Sequence, residues 1–292
     1  MSISAVSAQQ LGKSIAGRAI LRDVTIAADT GDVVGVLGKN GAGKTTLLET
    51  LLGFGPVSAG TAQIFGADSL TMPQAIRARI GFVPQQDELI DMLSGEQQIE
   101  LVASFYASWD RALAQRLLQA WQIPQARRVS GWSVGERQKL STLLALAHRP
   151  ELLVLDEPVA SLDPVARRQF LQEIIDLAAD GSRTVLFSTH IVADLERVAN
   201  KVWILKEGQL LWQGTLDALK ESVVRLHIRS DGSLPQTLSL PHAQRCRIEG
   251  QHATVTVTHW APEQRAALAE RLAAEIEVEP LALEDIFLEL HA

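Results

Sequence analysis

A glycine-rich run that ends in a lysine and a threonine is the strongest chemical signal in the chain. The run, Gly38-Lys39-Asn40-Gly41-Ala42-Gly43-Lys44-Thr45, fits the pattern G-x-x-x-x-G-K-[ST]. Glycines let successive backbone N–H groups face phosphates, Lys44 reaches the β and γ phosphates, and Thr45 ligates Mg²⁺. A turn that only joins a strand to a helix is the alternative, and the Lys-Thr pair at the matching position disfavours it. We expect a nucleoside triphosphate to be held by Gly38, Asn40, Gly41, Ala42, Gly43, Lys44, Thr45 and Thr46.

Two acids and a histidine follow apolar runs further along the chain. Asp156 and Glu157 end the run Leu152-Leu153-Val154-Leu155, and His190 follows the run 183–188. Asp156 is expected to hold Mg²⁺ through its water shell, and Glu157 to orient or deprotonate the attacking water. A solvated strand end would explain one acid better than two. His190 can hydrogen-bond the γ-phosphate, although a histidine considered alone is more often structural.

The elements that must position these residues alternate between short apolar strands and amphipathic helices over residues 1–220. Residues 32–37 predict a strand before the glycine-rich run, and residues 45–52 predict a helix after it. Compact apolar runs at 151–156, 183–188 and 201–206 suit a buried, largely parallel sheet. The predicted fold class is α/β. Helix-forming stretches without a convincing strand predict an inserted helical subdomain at about 85–148, with helices at 95–106 and 111–121.

The chain changes character from residue 221 onward, and 221–292 predicts a small accessory α+β domain. Alternating strands are expected at 223–229 and 252–259, and a helix at 262 to about 274. The last apolar residues fall on one helical face, which docking onto the sheet of this domain explains better than a dimer contact does. These residues are Leu283, Ile286, Phe287 and Leu290.

Composition excludes several classes of protein. With 292 residues, 47% hydrophobic and 21% charged, the chain is long enough for a sizeable core and one further domain. A net charge of -7, and 11 acidic against 6 basic residues from 221 onward, argue against a nucleic-acid partner. Cys246 is the single cysteine, so no internal disulfide forms. No secretory signal and no apolar run of about 20 residues is seen, which predicts a cytoplasmic location and a membrane role only through a partner.

One further segment identifies a family. Trp132-Ser133-Val134-Gly135-Glu136-Arg137-Gln138 lies shortly before the strand that ends in Asp156-Glu157, and in this order the chain resembles the nucleotide-binding subunits of ABC transporters over residues 1–220. Phe82-Val83-Pro84-Gln85 is similar to the glutamine loop of the family, and Ala160-Ser161-Leu162-Asp163 to its D-loop. The end of the chain, residues 280–290, is similar to that of ATPase subunits of bacterial ABC-2-type exporters.

The resemblance implies a P-loop NTPase core of the RecA-like kind, an inserted helical subdomain and a small C-terminal α+β domain. In the family two subunits hold two ATP molecules head to tail, so Ser133, Gly135 and Glu136 would contact the ATP held by the other subunit. Gln85 would touch the metal or the water, and Asp163 would align the two sites. The implied catalytic residues are Glu157, His190 and Gln85, and the implied metal-binding residues are Thr45, Gln85 and Asp156.

The implied function is an ATP-binding and ATP-hydrolysing subunit that dimerises around ATP and drives a separately encoded membrane permease. A homodimer is expected, and a heterodimer is left open. The subunit is expected to be peripheral on the inner face of the cell membrane, held there through the permease. One alternative is a non-transport ATPase of the same superfamily, in DNA repair or bound to ribosomes. Another is a module that senses ATP without turnover, which Glu157 and His190 disfavour. The insertion is expected to receive a short helix of the permease on the apolar residues Leu89, Ile90, Met92 and Leu93.

The sequence departs from the family pattern at two positions. Val134 replaces a glycine often found in the segment after Ser133, which would weaken contact with the γ-phosphate across the dimer. Ile15 lies where relatives place an aromatic ring against adenine, and an isoleucine cannot stack on a base. We therefore expect weakened ATP affinity and hydrolysis of GTP at a rate comparable to that of ATP.

Overall fold

The structure, a computed structural model, describes residues 4–160, 162–179, 181–232, 234–235, 238 and 240–291. Ser161, part of the predicted D-loop, lies outside the described residues. The chain divides into two compact units, Met1–Gln213 and Gly214–Ala292, whereas the sequence predicts a boundary at about 220. Among the described residues no helix is both long enough and apolar enough to cross a membrane.

The strands are, in chain order, β1 (Ser4–Ile15), β2 (Arg18–Asp29), β3 (Val33–Leu37), β4 (Ala59–Ile64), β5 (Ala67–Asp68), β6 (Ile80–Val83), β7 (Leu152–Leu155), β8 (Thr184–Thr189), β9 (Lys201–Lys206), β10 (Gln209–Thr215), β11 (Val224–Ser230), β12 (Ala243–Glu249), β13 (His252–Val257) and β14 (Ala274–Pro280). The helices are α1 (Lys44–Leu51), α2 (Gln74–Arg77), α3 (Gly95–Ala103), α4 (Arg111–Ala120), α5 (Val134–Leu146), α6 (Pro164–Ala178), α7 (Val192–Val198), α8 (Leu216–Ser222), α9 (Gln264–Leu272) and α10 (Leu283–Leu290).

A six-stranded sheet forms the centre of the first unit, in the order β10-β9-β3-β8-β7-β6. The neighbours from β9 through β3, β8 and β7 to β6 are parallel, and every residue of β3, β7 and β8 is buried. Burial on both faces explains why these strands are continuous apolar runs rather than alternating ones. The predicted α/β class with a largely parallel sheet is confirmed.

A second sheet in the same unit is antiparallel and has the order β2-β1-β4-β5. Its two long strands alternate between buried and exposed residues over parts of their length, because one face packs on a shared core and the other does not. This core includes side chains of both sheets and of α1, such as Leu47 and Leu48. The sheet was not predicted from the sequence, and its hairpin carries Ile15 and Arg18 at the turn.

The helical insertion consists of α3, α4, a short 3₁₀ turn (Val129–Gly131) and α5. Side-chain caps begin its three α-helices: Ser94 begins α3, Asp110 begins α4 and Ser133 begins α5, each accepting a hydrogen bond from a backbone N–H of the first turn. In the described part of residues 88–148 no strand forms, as predicted, and a single bridge pairs Ser94 with Arg128.

The second unit contains an antiparallel sheet in the order β12-β13-β11-β14, together with α8, α9 and α10. The predicted helix at 262 to about 274 ends earlier than expected, because Ala273 takes a left-handed φ of 44° and residue 274 already begins β14. On α10 the side chains of Leu283, Ile286 and Phe287 are buried within the single chain, and α10 lies against β12.

Candidate nucleotide-binding site

The glycine-rich run forms the loop between β3, at the centre of the parallel sheet, and α1. Gly43 caps the start of α1 with a φ of 102°, a backbone conformation that side chains disfavour. A Cβ on Gly38 would lie 2.8 Å from the carbonyl oxygen of Leu205 and 2.9 Å from the Cβ of Ala42. The loop therefore depends on glycine at both positions, and it places a helix N-terminus where anions bind.

A cavity of about 370 Å³ opens beside this loop. Most of the predicted phosphate-binding residues line it, together with Gln85 from the segment after β6, Glu157 from the end of β7 and two residues of β2. The full lining is Arg18, Ile20, Asn40, Gly41, Gly43, Lys44, Thr45, Thr46, Gln85 and Glu157. Gly38 and Ala42 belong to the loop but are not among the residues that line the cavity.

Lys44 is almost fully buried, and its ammonium group is held by oxygens. Nζ donates to the carbonyl oxygen of Gly38 over 2.9 Å and lies 3.1 Å from Oε1 of Glu157. Carbonyl dipoles and a carboxylate replace the hydration shell of this buried ammonium group. The ammonium group of Lys44 is thus fixed in the lining of the cavity. A phosphate oxygen can bind it there by replacing either the carbonyl oxygen of Gly38 or the carboxylate of Glu157.

Glu157 connects the groups at the end of β7 with those at the end of β8. Its Oε2 lies 2.7 Å from Nδ1 of His190, and its backbone N–H donates to Oγ of Ser188 over 2.8 Å. A φ of 48° places Glu157 in the left-handed region, which costs free energy and is typical of functional sites. The carboxylate of Glu157 therefore lies between the ammonium group of Lys44 and the imidazole of His190.

Ser188 is a site residue that the sequence analysis did not single out. Its hydroxyl donates to Oδ1 of Asp156 and accepts from the N–H of Glu157, so one buried side chain fixes both acids. The signal in the sequence was a serine inside the apolar strand that leads to His190. Only the parallel pairing of β7 with β8 shows that this serine faces the two acids.

Asp156 has the features of a residue that holds a metal through water. It is 1% exposed, and its Oδ2 atom has no hydrogen-bond partner among the described residues. Burial raises the pKa of nearby Glu49, one turn after Thr45 on α1, and the charge of Asp156 raises it further. An unpaired carboxylate oxygen in such an acidic region suits a hard divalent cation, so the residues present fit Mg²⁺.

Ser133, Gly135 and Glu136, which are expected to contact the ATP of the other subunit, lie at the start of α5 and do not line the cavity. Ser133 caps the helix, and Glu136 completes a capping box by accepting the N–H of Ser133 over 2.7 Å. That hydrogen bond, with contributions from the hydroxyl of Ser133 and from Arg127, holds the pKa of Glu136 below its usual value. Gly135 lies between them, and Val134 is exposed. The structure does not bring these residues to the Lys44 cavity of the same chain.

Asp163 and Gln85 differ in how they are placed. Asp163 caps α6 by accepting the N–H groups of Ala166 and Val165, and these bonds lower its carboxyl pKa. It does not line the cavity. Gln85 does line the cavity. Asp87, two residues later, forms a salt bridge of 2.6 Å with Arg137 of α5. Arg137 also pairs with Asp91 at 2.7 Å, so two salt bridges connect the segment after Gln85 with the first turns of α5.

Ile15 does not line the cavity, and half of its surface is exposed at the β1–β2 turn. Arg18 and Ile20, on the opposite strand of the same hairpin, contribute to the lining instead. No phenylalanine, tyrosine or tryptophan belongs to the described lining. The described lining of this cavity therefore offers no aromatic ring that could stack on a base.

Comparison with known proteins gives one consistent answer. A family model described as ABC transporter matches residues 21–160, which contain the cavity loop, the Ser133 segment and Asp156-Glu157. The Nod factor export ATP-binding protein I of Rhizobium johnstonii is 31% identical over 300 residues, which cover 99% of this chain and 96% of that protein. The ABC transporter ATP-binding protein YtrB of Bacillus subtilis is 28% identical and covers 97% of each chain.

Solved structures agree at the level of the fold. An ATP-binding subunit of an ABC transporter is 29% identical, with a TM-score of 0.67, and covers 73% of this chain and 90% of that one. A dimeric ATP-binding cassette in a post-hydrolysis state, bound to ADP and Pi, is 23% identical, with a TM-score of 0.65. The match covers 72% of this chain and 98% of that one. The chain belongs to the ABC transporter family, as an ATP-binding subunit that hydrolyses ATP and powers transport.

Proposed function

We propose that two identical copies of the chain close head to tail around two ATP molecules, each held by Lys44 of one copy and by Ser133 of the other. The observation that carries this proposal is the division of the site. Lys44, Gln85 and Glu157 line one cavity and His190 contacts Glu157, whereas Ser133, Gly135 and Glu136 lie outside that lining. A two-fold symmetric dimer supplies both halves of each site from one kind of chain. Solved dimeric cassettes of the same fold support this arrangement.

Within such a site each residue has a defined task. Backbone N–H groups from residue 41 onward and the ammonium group of Lys44 bind the phosphate oxygens of ATP, and Asn40 and Thr46 lie at the same wall. Glu157 accepts a proton from the attacking water, and His190 orients Glu157 through the 2.7 Å hydrogen bond at Nδ1. Gln85 lines the same cavity and contacts the water or the metal shell.

Mg²⁺ is part of the proposal because the donor set fits it. The Thr45 hydroxyl would bind it directly and the free oxygen of Asp156 would bind it through water, while Gln85 completes the group. When bound, the ion neutralises charge on the phosphate oxygens during transfer to water. Ser188 keeps Asp156 oriented for this role because its hydroxyl occupies the other carboxylate oxygen.

The proposed membrane partner binds the helical insertion. Ile90 and Met92, between the cavity and α3, are exposed at 46% and 77%, and Phe105 after α3 is exposed at 73%. Leu89 and Leu93 are partly buried beside them. Exposed apolar side chains of this number mark a protein contact. Because Gln85 lies a few residues away, a helix of the permease seated here could sense whether the cavity is filled.

The proposed direction of transport is export, with the subunit peripheral on the inner face of the cell membrane. Similarity over 99% of the chain to a protein named for Nod factor export supports the direction. The proposed location follows from the substrate, because ATP is supplied inside the cell. The cargo belongs to the permease and is left open.

Light scattering with purified chain tests the dimer. With Mg²⁺ and ATP, a Glu157→Gln variant is expected to double its mass, and it should return to a monomer when EDTA removes the metal. A heterodimer would leave the mass unchanged and require a second kind of chain. The unchanged mass would then contradict the homodimer.

A further inference from the structure

A second cavity lies entirely within the C-terminal unit, and nothing in ATP hydrolysis uses it. It has a volume of about 250 Å³ and lies between α9 and the end of β13. Its floor consists of the buried side chains of Leu226, Val257 and Leu268. The cavity is thus large enough for a small organic molecule and apolar where such a molecule would be buried.

Arg271 gives this cavity a permanent positive charge in an otherwise acidic unit. His242, His259 and Arg271 line it, and no aspartate or glutamate belongs to the described lining. Arg271 makes no hydrogen bond or ion pair with any described residue, so its guanidinium donors are available to a ligand. A guanidinium group beside an apolar floor is complementary to a ligand with one anionic group and an apolar body.

The two histidines are held in place by unusual backbone. His242 has a φ of 59° and His259 a φ of 56°, both in the left-handed region that side chains disfavour. The N–H of Thr258 donates to the carbonyl oxygen of His242 over 3.0 Å, which brings the two ring centroids to 4.8 Å. Backbone conformations of this cost persist where the surrounding structure fixes them, and they concentrate at ligand sites.

We infer that this cavity binds a small organic anion with a flat apolar body, the anion on Arg271 and the body between the indole of Trp260 and the apolar floor. The planar rings of Trp260, His242 and His259 favour a flat ligand over a branched one. None of the described residues that line this cavity belongs to the lining of the nucleotide site.

Anilinonaphthalene sulfonate is a suitable probe for the full chain, and phenylnaphthylamine, which has the same rings without the sulfonate, is its neutral match. The fluorescence of each probe is titrated with purified protein in saturating ATP. Arg271→Gln should weaken binding of the sulfonate about tenfold and leave the neutral probe unchanged, because only the charged hydrogen bond is lost. Arg247→Gln, on an exposed strand away from the cavity, is the matched control and should change neither.

Filling the cavity gives an independent arm. Ala267 lines the cavity on α9 and Ala266 does not, so Ala267→Phe should abolish binding of both probes while Ala266→Phe retains it. Trp260→Phe should remove energy transfer from that indole to the bound sulfonate. The inference is wrong if the sulfonate does not bind, if Ala267→Phe binds it normally, or if Arg271→Gln affects both probes equally. Unchanged circular dichroism shows that each variant is folded.

Discussion

Three neighbours fix the carboxylate that the chemistry depends on. Glu157 contacts the ammonium group of Lys44 at 3.1 Å and the imidazole of His190 at 2.7 Å, and Ser188 holds its backbone. A carboxylate between two donors is oriented rather than mobile, which is what a base acting on one water requires.

Glu157→Gln is expected to lower steady-state ATP hydrolysis by a factor of about 10² to 10⁴ and to leave ATP binding intact. Glutamine keeps the shape and loses the base, while the loop and Lys44 still hold the phosphates. Phosphate release and ATP binding, measured on the same preparation, check this. Near-normal turnover in the variant would refute the assignment of the base.

Ser188→Ala should destabilise the protein and slow hydrolysis together. Removing the hydroxyl leaves the N–H of Glu157 without its partner and frees Asp156, a loss of about 1 to 3 kcal/mol in the free energy of unfolding. Urea denaturation and ATPase rates provide the readouts. Ser141→Ala, which removes a buried hydroxyl from α5, is the control. If both variants behaved alike, Ser188 would have no special role at the site.

Base selectivity follows from the missing ring. Stacking of an aromatic side chain on a base contributes about 1 to 3 kcal/mol, so its absence should weaken ATP affinity about tenfold or more. GTP should then be hydrolysed at a rate comparable to that of ATP. Ile15→Tyr should restore ATP affinity, with Ile20→Tyr as the comparison on the strand that lines the cavity. A strong preference for ATP in the unchanged protein, with no gain from Ile15→Tyr, would contradict this.

Local patterns predict residues whose chemistry depends on neighbours in sequence. The loop at 38–45 and the pair Asp156-Glu157 are of this kind, because one strand and one turn position them. The contacts of Ser188 and the lining by Arg18 and Ile20 depend instead on which strands pair and in what register. That information is spread over distant parts of the chain, so no local pattern contains it.

At the scale of elements, buried strands are the most predictable. The runs at β3 and β7 have no polar side chain, and β8 and β9 each have an apolar centre, as expected for strands that are buried on both faces. Strand β12, largely exposed, lacks such a run, and β14 begins directly after α9. The helix there ends without a glycine or proline, at the left-handed Ala273, so the sequence provides no stop signal.

Met92→Asp tests the contact surface on the helical insertion. The side chain is 77% exposed, so the charge should leave the stability of the isolated chain unchanged while co-purification with the permease is lost. Leu288→Asp, at a 57% exposed position of α10, is the matched control and should co-purify normally. Normal co-purification of the Met92 variant, or its unfolding, would argue against docking here.

His148, directly after α5, should make folding sensitive to pH. Burial lowers the pKa of its imidazole below 6.5, while a contact of Nε2 with the carbonyl oxygen of Ile80 opposes the shift. Below pH 6.5 the unfolded chain therefore takes up a proton on His148 that the folded chain does not. The free energy of unfolding should accordingly decrease as the pH falls below 6.5.

Urea midpoints measured at about pH 7.5 and about pH 5.5 test this sign. His148→Gln, which keeps a donor for Ile80, should lose less stability over that interval than the unchanged protein. Other groups titrate equally in both proteins and cancel in the difference. Equal losses would show that His148 does not contribute.

In the complete molecule, the proposed ATP hydrolysis requires a site that is shared between two chains. Lys44 and Glu157 line one cavity, His190 contacts Glu157 without belonging to that lining, and Ser133 begins a helix outside it. A lone chain should therefore bind ATP and hydrolyse it slowly. Specific activity should rise with protein concentration, because each competent site needs a second copy.

The most direct measurement mixes two inactive variants. Lys44→Ala lacks the phosphate contact, and Ser133→Arg blocks the helix end that would meet the ATP of the other chain. A mixed dimer contains one site with an intact Lys44 from one chain and an intact Ser133 from the other. We expect ATP hydrolysis to reappear when the two variants are mixed. Activity that stays at the level of the separate variants would contradict the shared site.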